Sequence, residues 1–186
     1  MAPMETLTHK MLTDSGSKTP VVLSGAFQNL IGQERIADKK FENFVEYQKL
    51  FPEYNFVFIG DSGQADALFG LRARRSYPGV VKLVLINDVV NTPAVQRSSF
   101  AGEGVHFFDT YIDAAGVALE KDLIDFNQFI EISTAAMNEL NQIQFSSSRQ
   151  KEVMFTLHRN ALERVKQNYD LNIKERLQEA ATHSFV

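Results

Sequence analysis

Two short, uninterrupted apolar segments stand out in the middle of the chain. Residues 56–59 follow a turn at Pro52 and end at Gly60-Asp61-Ser62-Gly63, and residues 80–86 follow Pro78-Gly79. Apolar runs of this length are typical of parallel strands buried on both faces. We therefore expect residues 56–59 to form a fully buried strand that carries acidic side chains at its carboxyl end, where open α/β sheets bind ligands.

Segments with helical periodicity alternate with these apolar segments. Apolar residues three and four positions apart predict an amphipathic helix over residues 34–50, and residues 65–76 form a second helical segment. Short strands are predicted over residues 21–24 and 105–108, and a loop over residues 87–104. Strands alternating with helices indicate the α/β class, with parallel strands joined by right-handed crossovers.

Only helical patterns follow residue 110. Apolar positions predict one long helix between residues 123 and 143 and another from residue 154 to about residue 177, with a hinge at Ser146-Ser147-Ser148 that makes them an antiparallel hairpin. Turn-forming residues 13–20 favour a poorly ordered leader. The expected organisation is a leader over residues 1–20, a partial α/β core over 21–120 and a helical hairpin over 121–186.

Composition narrows the classes of function. Of the 186 residues 44% are hydrophobic, enough for a core, and a net charge of -4 without basic, aromatic-rich segments argues against a nucleic-acid partner. The absence of cysteine excludes disulfides, thiolate zinc sites and cysteine nucleophiles, and is compatible with a cytoplasmic location. No segment has the pattern of a secretory signal or a membrane-spanning helix, so any membrane contact would be peripheral.

Three charged residues are candidates for a functional site. Asp61 lies in the loop after the strand at residues 56–59, and Asp66 in the first turn of the next helix. Two carboxylates placed in this way can hold Mg²⁺, which completes its coordination with water and phosphate oxygens. Lys40 lies upstream, where its ammonium could pair with a carboxylate nucleophile or a phosphoryl oxygen. Together they form a partial set of groups for phosphoryl transfer.

Each candidate also has a purely structural interpretation. Asp66 could stabilise a helix N-terminus through the helix dipole, and Lys40 could be a solvated lysine in a charged helix. His106 lies between apolar residues and favours a structural role. Three arginines could bind phosphate or an anionic lipid surface, or could complement the negative C-terminus of the second helix: Arg72, Arg74 and Arg75.

The Gly60-Asp61-Ser62-Gly63 block also occurs around the nucleophile of serine proteases. That architecture is all-β and needs histidine and aspartate partners upstream, which this chain does not supply. Esterases with a Gly-Asp-Ser block need a late Asp-x-x-His pair, which is missing too. Neither serine-hydrolase class is supported.

Longer blocks resemble the phosphatidate phosphatase catalytic domain of the actin-patch-protein type, in the haloacid dehalogenase superfamily. The likeness is carried by residues 40–44, residues 50–66 and Tyr77-Pro78-Gly79; it spans residues 40–88, with a weaker likeness over 107–124. It implies a Rossmann-like parallel sheet and Mg²⁺-dependent hydrolysis of a phosphomonoester, such as phosphatidate, through an aspartyl-phosphate. It also implies that Lys40 steadies the nucleophile and that Asp61 and Asp66 help to hold Mg²⁺.

The chain departs from this family upstream of Lys40. The superfamily closes its first strand with an Asp-x-Asp motif that supplies the nucleophile and the general acid, and neither Asp14 nor Asp38 has that setting. Ser24 is too close to Lys40 to be the family's phosphate-binding Ser or Thr. The chain thus resembles only the later half of the domain. Because loss of a covalent nucleophile costs roughly 10⁴- to 10⁶-fold in rate, we expect little or no phosphatase activity from it alone.

Two interpretations follow. The chain is either a phosphatase-family protein whose earlier half is missing or supplied by another segment, or a non-catalytic interaction module that presents its helical hairpin to a partner. In both cases the strand at residues 56–59 lacks its usual neighbour, unless residues 21–24 replace it. Unpaired strand edges promote association, so we expect self-association.

Overall fold

Strands and helices alternate through the middle of the chain, and helices alone follow. The structure is a computed structural model that describes residues 3–21 and 32–183. The elements are α1 (Pro3–Asp14), α2 (Gln33–Leu50), β1 (Phe56–Asp61), α3 (Asp66–Ser76), β2 (Val81–Asn87), α4 (Ala94–Gly102), β3 (Val105–Phe108), α5 (Tyr111–Glu120), α6 (Phe126–Gln142) and α7 (Ser148–His183). The predicted strand at residues 21–24 falls almost entirely outside the described residues.

The three described strands form one parallel sheet in the order β1-β2-β3. The register pairs Asp61 with Asn87 and Asn87 with Phe108, so the carboxyl ends of all three strands lie at one edge. Helices α3 and α4 connect successive strands. The predicted α/β class and the partial Rossmann-like sheet are confirmed.

Helices cover the two faces of the sheet unequally. On one face α2 and α3 pack against β2, and Phe44 of α2 makes edge contacts with the rings of Phe56, Phe69 and Tyr77. On the other face α5 packs against side chains of β2 and β3. The core therefore centres on β2, whose side chains from Leu83 to Ile86 are buried alternately in the two layers.

The prediction that β1 is buried on both faces is wrong. Val57 is 49% exposed and Ile59 is 53% exposed. Both lie on the face that α5 covers farther along the sheet, because they pair with Leu83 and Leu85 of β2, against which α5 packs. In the described part of the chain β1 has β2 as its only strand partner, so one edge of β1 is unpaired and its Val57 and Ile59 side chains are exposed.

Two helices around β3 were not predicted. Residues 87–104, predicted to be a loop, contain α4, whose Phe100 packs on Phe107 of β3. Helix α5 begins at a capping box in which Thr110 accepts from the Asp113 N–H and the Asp113 carboxylate accepts from the Thr110 N–H. The Thr-x-x-Asp spacing of this box is a sequence signal for a helix start.

The predicted hairpin helices, α6 and α7, form, but they also pack on α5. Buried side chains from the three helices meet in one cluster, which includes Ile112, Phe129, Ala161 and Val165. Near the other terminus, α1 replaces part of the leader predicted to be poorly ordered, and its side chains from Thr6 to Asp14 are exposed. None of the described helices is long and apolar enough to cross a membrane.

Close packing of α3 on the sheet depends on Gly70, and its replacement by alanine tests this. A Cβ at Gly70 would lie 2.4 Å from Cγ1 of Val84, so we expect Gly70→Ala to lower the free energy of unfolding by about 1–3 kcal/mol. Gly102→Ala, at the end of α4, is the matched control because its Cβ meets nothing within 4 Å. Urea denaturation measures both; equal effects would contradict the packing argument.

Candidate functional site

The three predicted site residues lie at the carboxyl end of β1. Lys40 extends from α2, Asp61 is the last residue of β1, and Asp66 is the first residue of α3. Lys40 Nζ donates to Asp66 Oδ1, and the Asp61 backbone N–H donates to Asp66 Oδ2 at 3.1 Å. The Asp66 side chain is 9% exposed and that of Lys40 33%. The fold therefore joins Lys40 directly to Asp66 and places the Asp61 backbone beside them.

Gly60 makes this arrangement sterically possible. A Cβ at position 60 would lie 2.5 Å from Asp66 Oδ2 and 2.6 Å from Asp66 Cβ, closer than atoms of real side chains approach. Helix α3 can therefore begin against the end of β1 only where the strand has no side chain. The Gly-Asp-Ser-Gly block thus has a structural role that does not require Ser62 to be a nucleophile.

The carboxylates of Asp61 and Asp66 differ in how many of their oxygens accept hydrogen bonds from described donors. Both oxygens of Asp66 accept from protein donors, one from Lys40 and one from the Asp61 N–H. Asp61 Oδ1 accepts from the Gly63 N–H at 2.8 Å, whereas no donor in residues 3–21 and 32–183 contacts Asp61 Oδ2. Asp61 therefore retains an oxygen that can bind an external ligand.

The described residues contain no group of three or more His, Cys, Asp or Glu side chains that could hold a metal ion. Among the predicted site residues, a metal would have at most two carboxylate ligands, Asp61 and Asp66. Mg²⁺ commonly binds in this way, because it keeps several waters and takes its other ligands from substrate phosphate. The donors present fit Mg²⁺ better than an ion that requires a complete protein shell.

A buried network next to this site was not predicted. The Asp88 side chain follows β2 and has no exposed surface. Its carboxylate accepts from Ser62 Oγ at 2.9 Å, from the Thr92 N–H at 2.8 Å and from Arg97 Nε at 2.9 Å. Arg97 also donates to Asp109, which follows β3, at 3.1 Å. The network ties together the segments that leave the carboxyl ends of all three strands.

The electrostatics of Asp88 follow from these contacts. Burial acts to raise the pKa of Asp88, but hydrogen bonds from Ser62, Arg97 and Thr92 outweigh it and lower the pKa from 3.8 to about 2. Hydrogen bonds to Asp109 and Asp88 likewise raise the pKa of Arg97. The position of Asp88 directly after a strand could have suggested this role from sequence, whereas Arg97 lay in a segment predicted to be a loop.

The other candidates lie elsewhere or have structural partners. Arg72 pairs with Asp38, Arg75 pairs with Glu103, and Arg74 donates to the main-chain oxygens of Pro78 and Val81. Asp14 pairs with Lys10 on α1. Ser24 falls outside the described residues. Arg74, Arg75 and His106 line a pocket at the amino edge of the sheet, whereas Arg72 lies between α3 and α2.

Comparison with known families supports the resemblance predicted from sequence. Residues 8–88 match the family described as phosphatidate phosphatase APP1, catalytic domain. This match begins upstream of the likeness predicted over residues 40–88 and ends at the same residue; the weaker likeness over 107–124 lies outside it. The matched segment contains Lys40, Asp61, Asp66 and Asp88. No curated protein and no solved structure matches the chain.

The contact of Gly60 with Asp66 predicts a thermodynamic coupling. Gly60→Ala should displace Asp66 and lower the free energy of unfolding by about 1–3 kcal/mol. Lys40→Met removes the same ion pair, so the double variant should lose less stability than the sum of the single variants. Lys39→Met is the matched control, since Lys39 pairs with the exposed Glu42 and not with Asp66, and its effect should add to that of Gly60→Ala. Additive effects for Lys40→Met would contradict the shared contact.

The depressed pKa of Asp88 predicts a specific loss of stability in acid. The native state holds Asp88 ionised more strongly than the unfolded state does, so its contribution is complete above the unfolded pKa of 3.8 and is lost as the pH falls toward about 2. The difference corresponds to about 2 kcal/mol. Chemical denaturation between pH 7 and pH 2 should show a flatter profile for Asp88→Asn. Glu131→Gln, at an exposed position on α6, should keep the steep profile; an equally steep Asp88→Asn profile would refute the assignment.

Proposed function

We propose that the chain is a phosphatidate-phosphatase-like protein of the haloacid dehalogenase type, and that Lys40, Asp61 and Asp66 form the phosphate- and metal-binding half of its active centre. The observation that carries this proposal is the Lys40–Asp66 ion pair at the carboxyl end of β1. It lies inside the segment that matches the family, at the sheet edge where α/β proteins bind ligands. The substrate class is a phosphate-bearing lipid such as phosphatidate, reached by peripheral contact from the cytoplasm.

The free carboxylate oxygen separates the roles of the two acids. Among the described residues no donor contacts Asp61 Oδ2, so Asp61 is the direct Mg²⁺ ligand in this proposal. Asp66, with both oxygens already bonded, positions the Lys40 ammonium and holds the Asp61 backbone beside the ion. When bound, Mg²⁺ supplies positive charge to the phosphoryl oxygens. Lys40, partly exposed, adds a second cation next to the same group.

The nucleophile has to come from outside the described sheet. The sequence has no Asp-x-Asp motif before Lys40, and β1 has one free edge in the described part of the chain. A strand carrying the motif would lie at that edge, beside Asp61. We therefore propose that the 186-residue polypeptide alone is inactive or nearly so, and that an additional segment completes the centre.

The structure gives less support to an interaction module built on the hairpin. The apolar residues of α6 and α7 that would face a partner, including Phe129, Ala161 and Val165, pack against α5. That face is occupied within the chain. The phosphatase proposal uses Asp61 Oδ2, which no described donor contacts, and the partly exposed Lys40 ammonium.

Metal binding tests the proposed roles without requiring activity. Paramagnetic Mn²⁺, as a substitute for Mg²⁺, should broaden the backbone amide resonances of residues 61–66 first. Asp61→Asn should weaken binding by at least about tenfold, because the group with the free oxygen is lost. Glu131→Gln should bind as the parent does. Equal weakening in both variants, or no broadening near Asp61, would refute the metal site.

Measurement of phosphate release from phosphatidate vesicles tests the proposal that the chain alone lacks a nucleophile. With Mg²⁺ the purified chain should release no phosphate above the vesicle blank, because binding groups do not replace a covalent nucleophile. Metal-dependent release that disappears in Asp61→Asn would show that the chain is complete as a catalyst and would overturn the proposed inactivity. Release that persists in Asp61→Asn would point to a contaminating enzyme and would leave the site without support.

A further inference from the structure

A second polar pocket lies at the opposite edge of the sheet. Its volume is about 500 Å³, and it is formed where α3 and α5 end and where β2 and β3 begin. The side chains that give it its chemistry are Arg74, Arg75, Lys82, Glu103, His106 and Lys121. The proposed active centre is at the carboxyl ends of the strands, so the two sites are separated by the length of the sheet.

The positive charges of this pocket are poorly compensated. Arg74 donates to the main-chain oxygens of Pro78 and Val81, and Lys82 Nζ donates to the Gly79 oxygen at 2.7 Å. Lys121 forms no ion pair in the described part of the chain.

The only acidic group on the pocket wall, Glu103, is held by Arg75. Arg74, Lys82 and Lys121 therefore contribute three positive charges to the pocket, and none of them forms an ion pair among the described residues. This concentration is notable in a chain whose net charge is -4.

The pocket is also held in shape. Gly104 has a φ of 80°, and a Cβ there would lie 2.9 Å from Arg74 Nε. The Gly104 turn therefore packs directly on the arginine, whose guanidinium is tied to two carbonyl oxygens. Such a preorganised cation loses little side-chain entropy when it binds an anion.

His106 adds a polar group on β3. Burial, followed by repulsion from Lys121 and Arg74, lowers the pKa of His106 from 6.5. Its ring is therefore neutral at pH 7, and one nitrogen can donate a hydrogen bond. The charged groups around it are Arg74 and Arg75 of α3, Lys82 of β2, Glu103 after α4 and Lys121 after α5.

We propose that this pocket binds the phosphate group of a phosphomonoester at a site distinct from the Lys40 centre. A phosphate dianion matches several cations converging on one cavity better than a carboxylate does, because it has more charge and more acceptor oxygens. The cavity is large enough for the phosphate and a small organic group. The phosphate belongs either to a soluble compound or to a lipid headgroup at a membrane surface.

Binding of soluble phosphates tests the pocket. Glycerol 3-phosphate and inorganic phosphate, titrated into the full chain, should shift the His106 ring resonances and raise the pKa of His106 measured by NMR. Lys121→Gln should weaken this binding by at least about tenfold, the effect of losing one charged contact. Lys166→Gln removes an exposed lysine on α7 and should change nothing. Equal weakening by both variants would show unspecific charge attraction and would overturn the site.

Vesicles distinguish the two sources of phosphate. Co-sedimentation with phosphatidate-containing phosphatidylcholine vesicles, but not with pure phosphatidylcholine, and its loss in Lys121→Gln would identify the lipid headgroup. Binding of glycerol 3-phosphate without vesicle binding would identify a soluble ligand. No Lys121-dependent binding in either arm would refute the proposal. Metal binding at Asp61 reports on the other edge of the sheet, so failure of one site leaves the other assignment intact.

Discussion

The contact between Gly60 and Asp66 is the constraint on which the candidate site depends. A mostly buried carboxylate is costly unless it has charged or hydrogen-bonding partners. Asp66 obtains them from Lys40 and from the Asp61 N–H, and both contacts require the first turn of α3 to lie against the end of β1. The missing side chain at Gly60 permits that approach. One steric condition thus fixes the relative positions of α2, β1 and α3.

Two of the acidic groups at this sheet edge, Asp88 and Asp61, have opposite properties. The Asp88 carboxylate accepts several hydrogen bonds and its side chain has no exposed surface, so it fixes the segments that follow the strands. Asp61 keeps one oxygen that no donor within residues 3–21 and 32–183 contacts. A site that binds an ion needs both kinds of group: a rigid frame, which excludes competing conformations, and a ligand atom that the frame leaves free. The Ser62 hydroxyl belongs to the frame, because it donates to Asp88.

Sequence reasoning predicted the elements with strong hydrophobic patterns and the proximity of Lys40 to the acidic residues. It did not predict the exposure of Val57 and Ile59, because an apolar run shows that a strand is suited to burial but not which neighbours cover it. It also missed α4, a short helix between two strands, and the Asp88–Arg97 pair, whose members are joined only by tertiary folding. Local sequence patterns predict individual helices and strands. Contacts between residues that are far apart in the sequence can be identified only from the folded structure.

The uncovered edge of β1 connects the fold to the proposed chemistry. An apolar strand with an unpaired edge is unfavourable in water and prone to association, so it is retained most readily where another strand completes it. The edge in question lies beside Asp61, on the side where a nucleophile strand would have to pair for its carboxylate to reach a phosphorus atom bound next to Lys40. Val57 and Ile59 have the apolar side chains that such an addition would cover. Under the proposed function, one neighbouring strand that the described sheet lacks accounts both for the exposed surface of β1 and for the nucleophile that the described residues do not supply.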